Sequence, residues 1–281
     1  MQNFSDALSP MLSHFAVRAR LFHTGTLCRH ADFDAAEGHG YLHLLRSGHA
    51  DFGDETGFRM RLDEPVLLFY ARPLTHWIRP DIEQGADLAC ASVQFDHSAF
   101  NPIVRALPAR VICPLSEMEE SAALLDILFA EAFAERQGRQ EVLNRLFELV
   151  LMQLLRHSLR SGRTSVGFLR GLAHPQLSRA ITAMHAEPER QWTLESLAAL
   201  AAMSRSSFAG AFRREVGQTP GEYLTCWRIA SAQALLRRGM SLPHVAGRVG
   251  YLSQAGFQRA FRQVIGLSPG LWLRQAGPGP D

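Results

Sequence analysis

The chain has 281 residues, 47% of them hydrophobic and 20% charged, and a formal net charge of +2 at pH 7. That length supports two domains with a core each, and no apolar run reaches the roughly 18 residues of a membrane span, which argues against a membrane protein. Asp6 and His14 stand where an export signal would carry a basic start and an apolar stretch, so the expected location is cytoplasmic. Cys28, Cys90, Cys113 and Cys226 are too few and too scattered for a secreted disulfide framework, so any pair that matters is a switch or a metal site.

Phe4, Leu8, Met11, Leu12 and Phe15 recur at helical spacing and predict a short opening helix. From Val17 to Cys113 the pattern changes to short apolar or alternating runs, at 19–23, 41–45, 50–52, 66–70, 88–95 and 110–113. Turn clusters such as Arg46-Ser47-Gly48-His49 and Asp54-Glu55-Thr56-Gly57 separate them. Many short strands with regular turns predict a β-sandwich or barrel.

The segment Gly40-Tyr41-Leu42-His43-Leu44-Leu45-Arg46-Ser47-Gly48, followed by Pro65-Val66-Leu67-Leu68-Phe69-Tyr70 and His76, resembles the two strand motifs of a cupin. The resemblance implies a β-barrel around a sensing or catalytic cavity. It would bring His43 and His76 together inside.

After Pro114 the period becomes helical. Leu124, Leu125, Leu128, Phe129 and Phe133 form one stripe. Leu143, Leu146, Phe147, Val150, Leu151, Leu154 and Leu155 form a second, wider one. The helix over 140–159 either packs under the barrel or also meets its copy in a homodimer. Ser161 to Gly167 reads as a flexible linker. The expected boundaries are 1–115 for the sensor domain, 116–160 for a helical linker and dimerisation region, and 171–276 for an all-helical domain.

Within that last domain one phrase occurs twice. Phe208, Phe212-Arg213, Gly217, Thr219-Pro220-Gly221 and Tyr223 match Phe257, Phe261-Arg262, Gly266, Ser268-Pro269-Gly270 and Trp272. Each copy follows a short helix and a tight turn, with Ser204 or Ser253 placed to cap the second helix. Thr219-Pro220-Gly221-Glu222 is a capping box that starts a long helix ending near Arg238 and Gly239. From Ser204 to Arg262 arginines abound while Glu215 and Glu222 are the acids, which predicts a polyanionic partner.

Helix, sharp turn and a second, basic helix is the helix-turn-helix plan. With Phe257, Phe261 and Val264 inward, Gln254, Ala255, Gln258 and Arg259 face out, with Arg262 beyond. Glutamine and arginine are residue types that read base edges. In the first copy Arg205, Ser206, Ala209 and Gly210 face out with Arg213 and Arg214. The alanine and glycine at 209 and 210 offer little to base edges, so this copy is suited to holding phosphates through Arg213 and Arg214.

Pro175 to Leu273 resembles the AraC/XylS-type DNA-binding domain over its full length, and the whole chain resembles such regulators with a cupin effector domain. The fold expected is therefore α+β: a cupin barrel, a helical linker, and a domain of two helix-turn-helix units. The resemblance implies recognition helices in successive major grooves about 34 Å apart, a double-stranded DNA operator and RNA polymerase as partners, and control of operator binding or transcription activation rather than catalysis.

The chain also resembles a branch that responds to reactive oxygen or chlorine species through cupin cysteines, here Cys28 and Cys90. Cys28, His43, His76 and Cys90 together make a Cys₂His₂ set suited to tetrahedral Zn²⁺. A redox or metal signal and a small organic ligand both stay open as inputs. A metal-dependent cupin enzyme is the rival reading, and the missing glutamate and second histidine of the first motif weigh against it. Cys113 and Cys226 read as buried apolar residues.

Overall fold

The computed structural model describes residues 17–95, 101, 104, 107–161 and 167–276, so the expected opening helix and most of the expected linker lie outside the described residues. Two compact units result, one built on Val17–Ser98 and Leu107–Arg163, the other on Thr164–Asp281. The helices over 122–161 thus belong with the strands.

Among the described residues the first unit holds nine strands: β1 (Val17–Leu27), β2 (Ala31–Phe33), β3 (Gly40–Gly48), β4 (Ala50–Asp54), β5 (Arg59–Leu62), β6 (Val66–Tyr70), β7 (His76–Pro80), β8 (Ala86–Phe95) and β9 (Val111–Pro114). They form a five-stranded sheet in the order β1-β8-β3-β6-β9 and a four-stranded sheet in the order β2-β7-β4-β5. All neighbours are antiparallel. Leu45, Leu68, Tyr70 and Leu88 from the larger sheet and Phe52, Leu62 and Ile78 from the smaller share one core. The central strand β3 is buried from Gly40 to Leu45, which explains its unbroken apolar run. Gly48 ends it at φ 84, and a Cβ there would lie 2.4 Å from the Gly85 carbonyl oxygen, so only glycine fits this crossing of two turns.

Two helices follow the strands, α1 (Ala122–Ala132) and α2 (Arg139–Ser161). β1 is an edge strand, and its outward backbone groups need partners. Side chains of α2 supply them: Leu21 N–H donates to Asn144 Oδ1 at 2.8 Å, Ala19 N–H to Glu148 Oε1 at 3.4 Å, and Gln140 Nε2 donates to the Leu21 carbonyl at 2.8 Å. The apolar face of α2, from Leu143 through Phe147, Val150 and Leu154, is buried within this one chain. Of the two packing possibilities for this helix, the one against the sheet accounts for its stripe.

The second unit is helical: α3 (Phe168–Ala173), α4 (Leu177–Ala186), α5 (Leu194–Leu200), α6 (Arg205–Val216), α7 (Pro220–Arg237), α8 (Leu242–Arg248), α9 (Gln254–Ile265) and α10 (Pro269–Ala276). The serine and threonine caps predicted at Ser204, Ser253 and Thr219 are formed. Ser204 accepts from Ser207 N–H at 3.3 Å and Ser253 from Gly256 N–H at 3.2 Å. Both helices end on a left-handed glycine, Gly217 and Gly266. Thr219 and Glu222 close a reciprocal capping box at the start of α7.

The duplicated phrase becomes a duplicated ring ladder. Phe208, Phe212 and Tyr223 meet in sequence in tilted and edge-on contacts at 5.6 Å between centroids, and Phe257, Phe261 and Trp272 meet edge-on at 5.7 Å. The central helix α7 is buried on most sides, with Trp227 inside and His185 stacked on it at 3.8 Å. Cys226 on this helix is half-buried rather than inside, at the margin of the face that Tyr223 and Trp227 bury. No helix among the described residues is long and apolar enough to cross a membrane.

Candidate functional site

Two regions carry the chemistry, and each is held by its own unit. The first is the outer face of α6 and α9. Phe257 and Phe261 are fully buried, which by helical periodicity turns Gln254, Ala255, Arg259 and Arg262 outward. These four are exposed, and Gln258 is half-buried at the margin. On α6, Arg205, Ser206, Gly210, Arg213 and Arg214 are exposed and Ala209 is half-buried. Ala209, Gly210 and Arg213 line one wall of a cleft of about 530 Å³ whose other wall includes Trp192, Leu194 and Leu224.

Charge on this face is less uniform than the count of arginines predicts. Arg205 reaches Glu195 on α5 at 2.5 Å, a pair exposed on both sides and therefore weak and exchangeable. Arg214 Nε lies 2.8 Å from Glu215, which Arg170 Nε also engages at 2.6 Å. Burial raises the Glu215 carboxyl, but the two guanidinium hydrogen bonds outweigh it and hold the group below its usual range. Arg214 is thus engaged within the protein, and Arg213 is the more accessible cation of that pair for an external anion. Glu222 is committed to its cap. The acids of this region are spent internally, which leaves the outer face basic.

The second region is a chamber between the two sheets. Register on the larger sheet places His23, Cys90, His43 and Leu68 in one transverse row. His76 reaches in from β7 of the smaller sheet, and its Nε2 lies 2.9 Å from His43 Nε2. The tautomers follow from the surroundings. His76 Nδ1 is 2.7 Å from the Leu74 carbonyl, which only accepts, so Nδ1 carries the proton and Nε2 is an acceptor. His43 therefore donates through Nε2, and its Nδ1 is left buried with no hydrogen-bond partner among the described residues.

Phe33, Tyr41, Phe52 and Tyr70 wall these rings, with Tyr70 stacked on His76 at 4.3 Å and Phe33 on the same ring at 4.8 Å. Burial lowers the pKa of His76 to about 4, the Leu74 hydrogen bond opposing it. Burial, then the neighbouring His76 and His23, push His43 well below the usual imidazole value. Both rings are neutral at pH 7. Behind them Tyr70 donates to Asp54 Oδ2 at 3.3 Å, and Arg110 reaches the same oxygen at 2.6 Å while lying over the Phe58 ring at 3.7 Å.

The sequence grouped Cys28, His43, His76 and Cys90 as one ligand set. The structure joins the two histidines and sets Cys90 beside His43, but leaves Cys28 exposed near the Gly85 turn. Among the described residues these four do not form a cluster whose donor atoms lie within 4.8 Å of one another. The reason is topological: Cys28 follows the end of β1, where Leu27 pairs with Ala86, while Cys90 is further along β8 by about 13 Å at about 3.3 Å per residue. A disulfide between them needs Cα atoms within about 7 Å, and so a rearranged backbone. Burial also pushes the Cys90 thiol far up, keeping it protonated.

Sequence reasoning missed His23, Phe33 and the Asp54–Arg110 pair. His23 lies in a run already read as a strand, and its inward position was hidden by the irregular register between Leu21 and His23. Asp54 and Arg110 are far apart in sequence and carry no local signal.

A family model described as "Cupin" matches residues 6–160, and one described as "Helix-turn-helix domain" matches residues 197–275. A putative AraC-like transcription regulator of Streptomyces lividans is 44% identical over 124 residues, 43% of this chain and 41% of that protein. The matched region spans less than half the length of the first such curated relatives. The RCS-specific HTH-type transcriptional activator RclR of Escherichia coli is 29% identical over 263 residues, 88% of this chain and 92% of that one. Among solved structures, the DNA-binding domain of AdpA in complex with a target DNA is 36% identical, with TM-score 0.34, covering 36% of this chain and 91% of that one.

Proposed function

Because the chain belongs to the cupin family, with the helix-turn-helix domain of AraC-like transcription regulators behind the cupin region, we propose that it is a sequence-specific DNA-binding regulator whose sheet unit receives a signal. The observation that carries this reading is the exposed Gln254, Ala255, Arg259 and Arg262 face beside the buried Phe257 and Phe261. Two helix-turn-helix units, α5 with α6 and α8 with α9, insert their second helices into the major groove of an operator. Arg259 and Gln254 read base edges. Arg213 holds a phosphate, Arg205 joins it by exchanging Glu195 for the DNA backbone, and RNA polymerase is the protein partner.

The division of labour is testable on an operator selected from genomic fragments. Arg259→Ala is expected to cost about 1–3 kcal/mol on that operator and relax preference at one base pair, whereas Arg213→Ala weakens all sequences alike and flattens the salt dependence. Equal losses on operator and random DNA for Arg259→Ala would remove it as a base reader.

For the input, an oxidant signal enters at Cys28. It is the exposed thiol, whereas Cys90 is buried and protonated and so a poor nucleophile. Hypochlorite treatment is expected to change operator binding of the native protein and of Cys90→Ser, and to leave Cys28→Ser unchanged; a response that survives Cys28→Ser rules this entry point out. Zinc at the chamber would have His43 and His76 as its ligands, with Cys90 beside them. The exposed Cys28 does not fit that set.

A further inference from the structure

Cys113 is the penultimate residue of β9, the chain turns after Pro114 into a 3-10 segment over Leu115–Ser121, and α2 returns along it. This path gathers three donors of different chemistry. One ligand atom each from Cys113, Glu117 and His157 lies within 4.8 Å of the other two. The thiol is buried, the imidazole partly so, and the carboxylate is at the surface. His157 Nε2 and Glu117 Oε2 are 3.6 Å apart. That is long for a charge-assisted hydrogen bond of about 2.7–2.9 Å, and close to the separation of about 3.4 Å between nitrogen and oxygen ligands sharing a tetrahedral zinc ion.

We propose that Cys113, Glu117 and His157 form a three-ligand site for a zinc-class divalent ion, with its fourth position open on the Glu117 side. A thiolate with an imidazole selects borderline-soft metals over calcium or magnesium. Three protein ligands with one position left for water is the composition of an open zinc site. The site is separate from the histidine chamber. Cys113 pairs in register with Leu67, on the opposite face of the larger sheet from Leu68 and its partner His43. Its ligands come from β9, the segment after it and α2, so a bound ion fastens the β9 edge and its 3-10 segment to α2.

The test is cobalt titration of the full chain after chelator stripping under reducing conditions. One equivalent is expected to bind with a thiolate-to-cobalt charge-transfer absorption, and zinc is expected to displace it. Cys113→Ser abolishes that absorption, while Cys28→Ser, Cys90→Ser and Cys226→Ser retain it. Glu117→Gln alters an exposed side chain and so leaves the fold intact. It is expected to keep the absorption and weaken binding at least about tenfold, the loss typical of even outer-shell partners; His157→Gln weakens it likewise. If Cys113→Ser fails to fold, Glu117→Gln decides the matter. No cobalt uptake, an absorption that survives in folded Cys113→Ser, or unchanged affinity in Glu117→Gln would overturn the assignment.

Discussion

Phe257→Ala is expected to destabilise the helical unit by about 3–5 kcal/mol, the range for emptying a buried phenylalanine site. The ring is fully buried and sits in the middle of a chain of edge contacts, with Tyr251 at 5.6 Å on one side and Phe261 at 5.7 Å on the other, the latter leading to Trp272. Collapse into the cavity is hindered because α9 is fixed at both ends, by the Ser253 cap and by Gly266. Domain stabilities are about 5–15 kcal/mol, so this loss removes a large share. Urea unfolding of the full chain followed by tryptophan fluorescence should show a lower midpoint with an unchanged slope. Arg259→Ala, two residues on and on the outer face, should leave that midpoint in place while losing the operator. A loss below about 1 kcal/mol for Phe257→Ala would mean that the ring is not part of a packed core.

The two units were not equally legible in the sequence. The helical unit is written in local chemistry: Ser204, Ser253, Thr219 with Glu222, and the glycines at 217 and 266 each fix a helix end by contacts within a few residues. Such signals need no knowledge of the rest of the fold. The strands divide by exposure. β3, β6 and β8 are buried on both faces and read as apolar runs, whereas β2, β5 and β7 escaped notice. β5 buries Leu62 and leaves Arg59, Met60 and Arg61 outside. In β7 the inward positions are His76, Ile78 and Pro80, so the alternation is visible only if a histidine is counted as a core residue.

Long-range chemistry was the least legible. The meeting of His43 and His76 was implied by the cupin motifs and holds. The place of Cys28 depends on where β1 ends against β8, a register that no local pattern specifies. Cys113 read as an apolar core residue because Glu117 and His157 come to it through the 3-10 segment and the return of α2, a geometry set by packing. In α2 itself the apolar stripe gave the helix, but the polar residues that choose its partner, Gln140, Asn144 and Glu148, looked like an ordinary solvated face. They are the groups that cap the edge of β1.

The histidine chamber makes the sheet unit acid-sensitive, and the sign follows from its neutral rings. In the folded chain burial lowers His76 to about 4, and His43 moves the same way, disfavoured further by the charge each of His76 and His23 would bring. Asp54 favours protonated His76, but less strongly than burial opposes it. In the unfolded chain both rings titrate near about 6.5. Between pH 6.5 and pH 4 the unfolded state therefore binds more protons, and stability rises with pH across that window. It is fully present above about pH 6.5 and is lost as the pH falls toward 4. For His76 alone, going from pH 7 to pH 5 should remove about 2 kcal/mol, with His43 adding to it. Urea midpoints of the native chain should fall accordingly, while the double variant His43→Leu/His76→Leu should show a much flatter dependence over the same range. A native midpoint that does not move between pH 7 and pH 5 would mean that the rings are not held neutral, and the hydrogen bond from His43 Nε2 to His76 Nε2 would have to be reassigned.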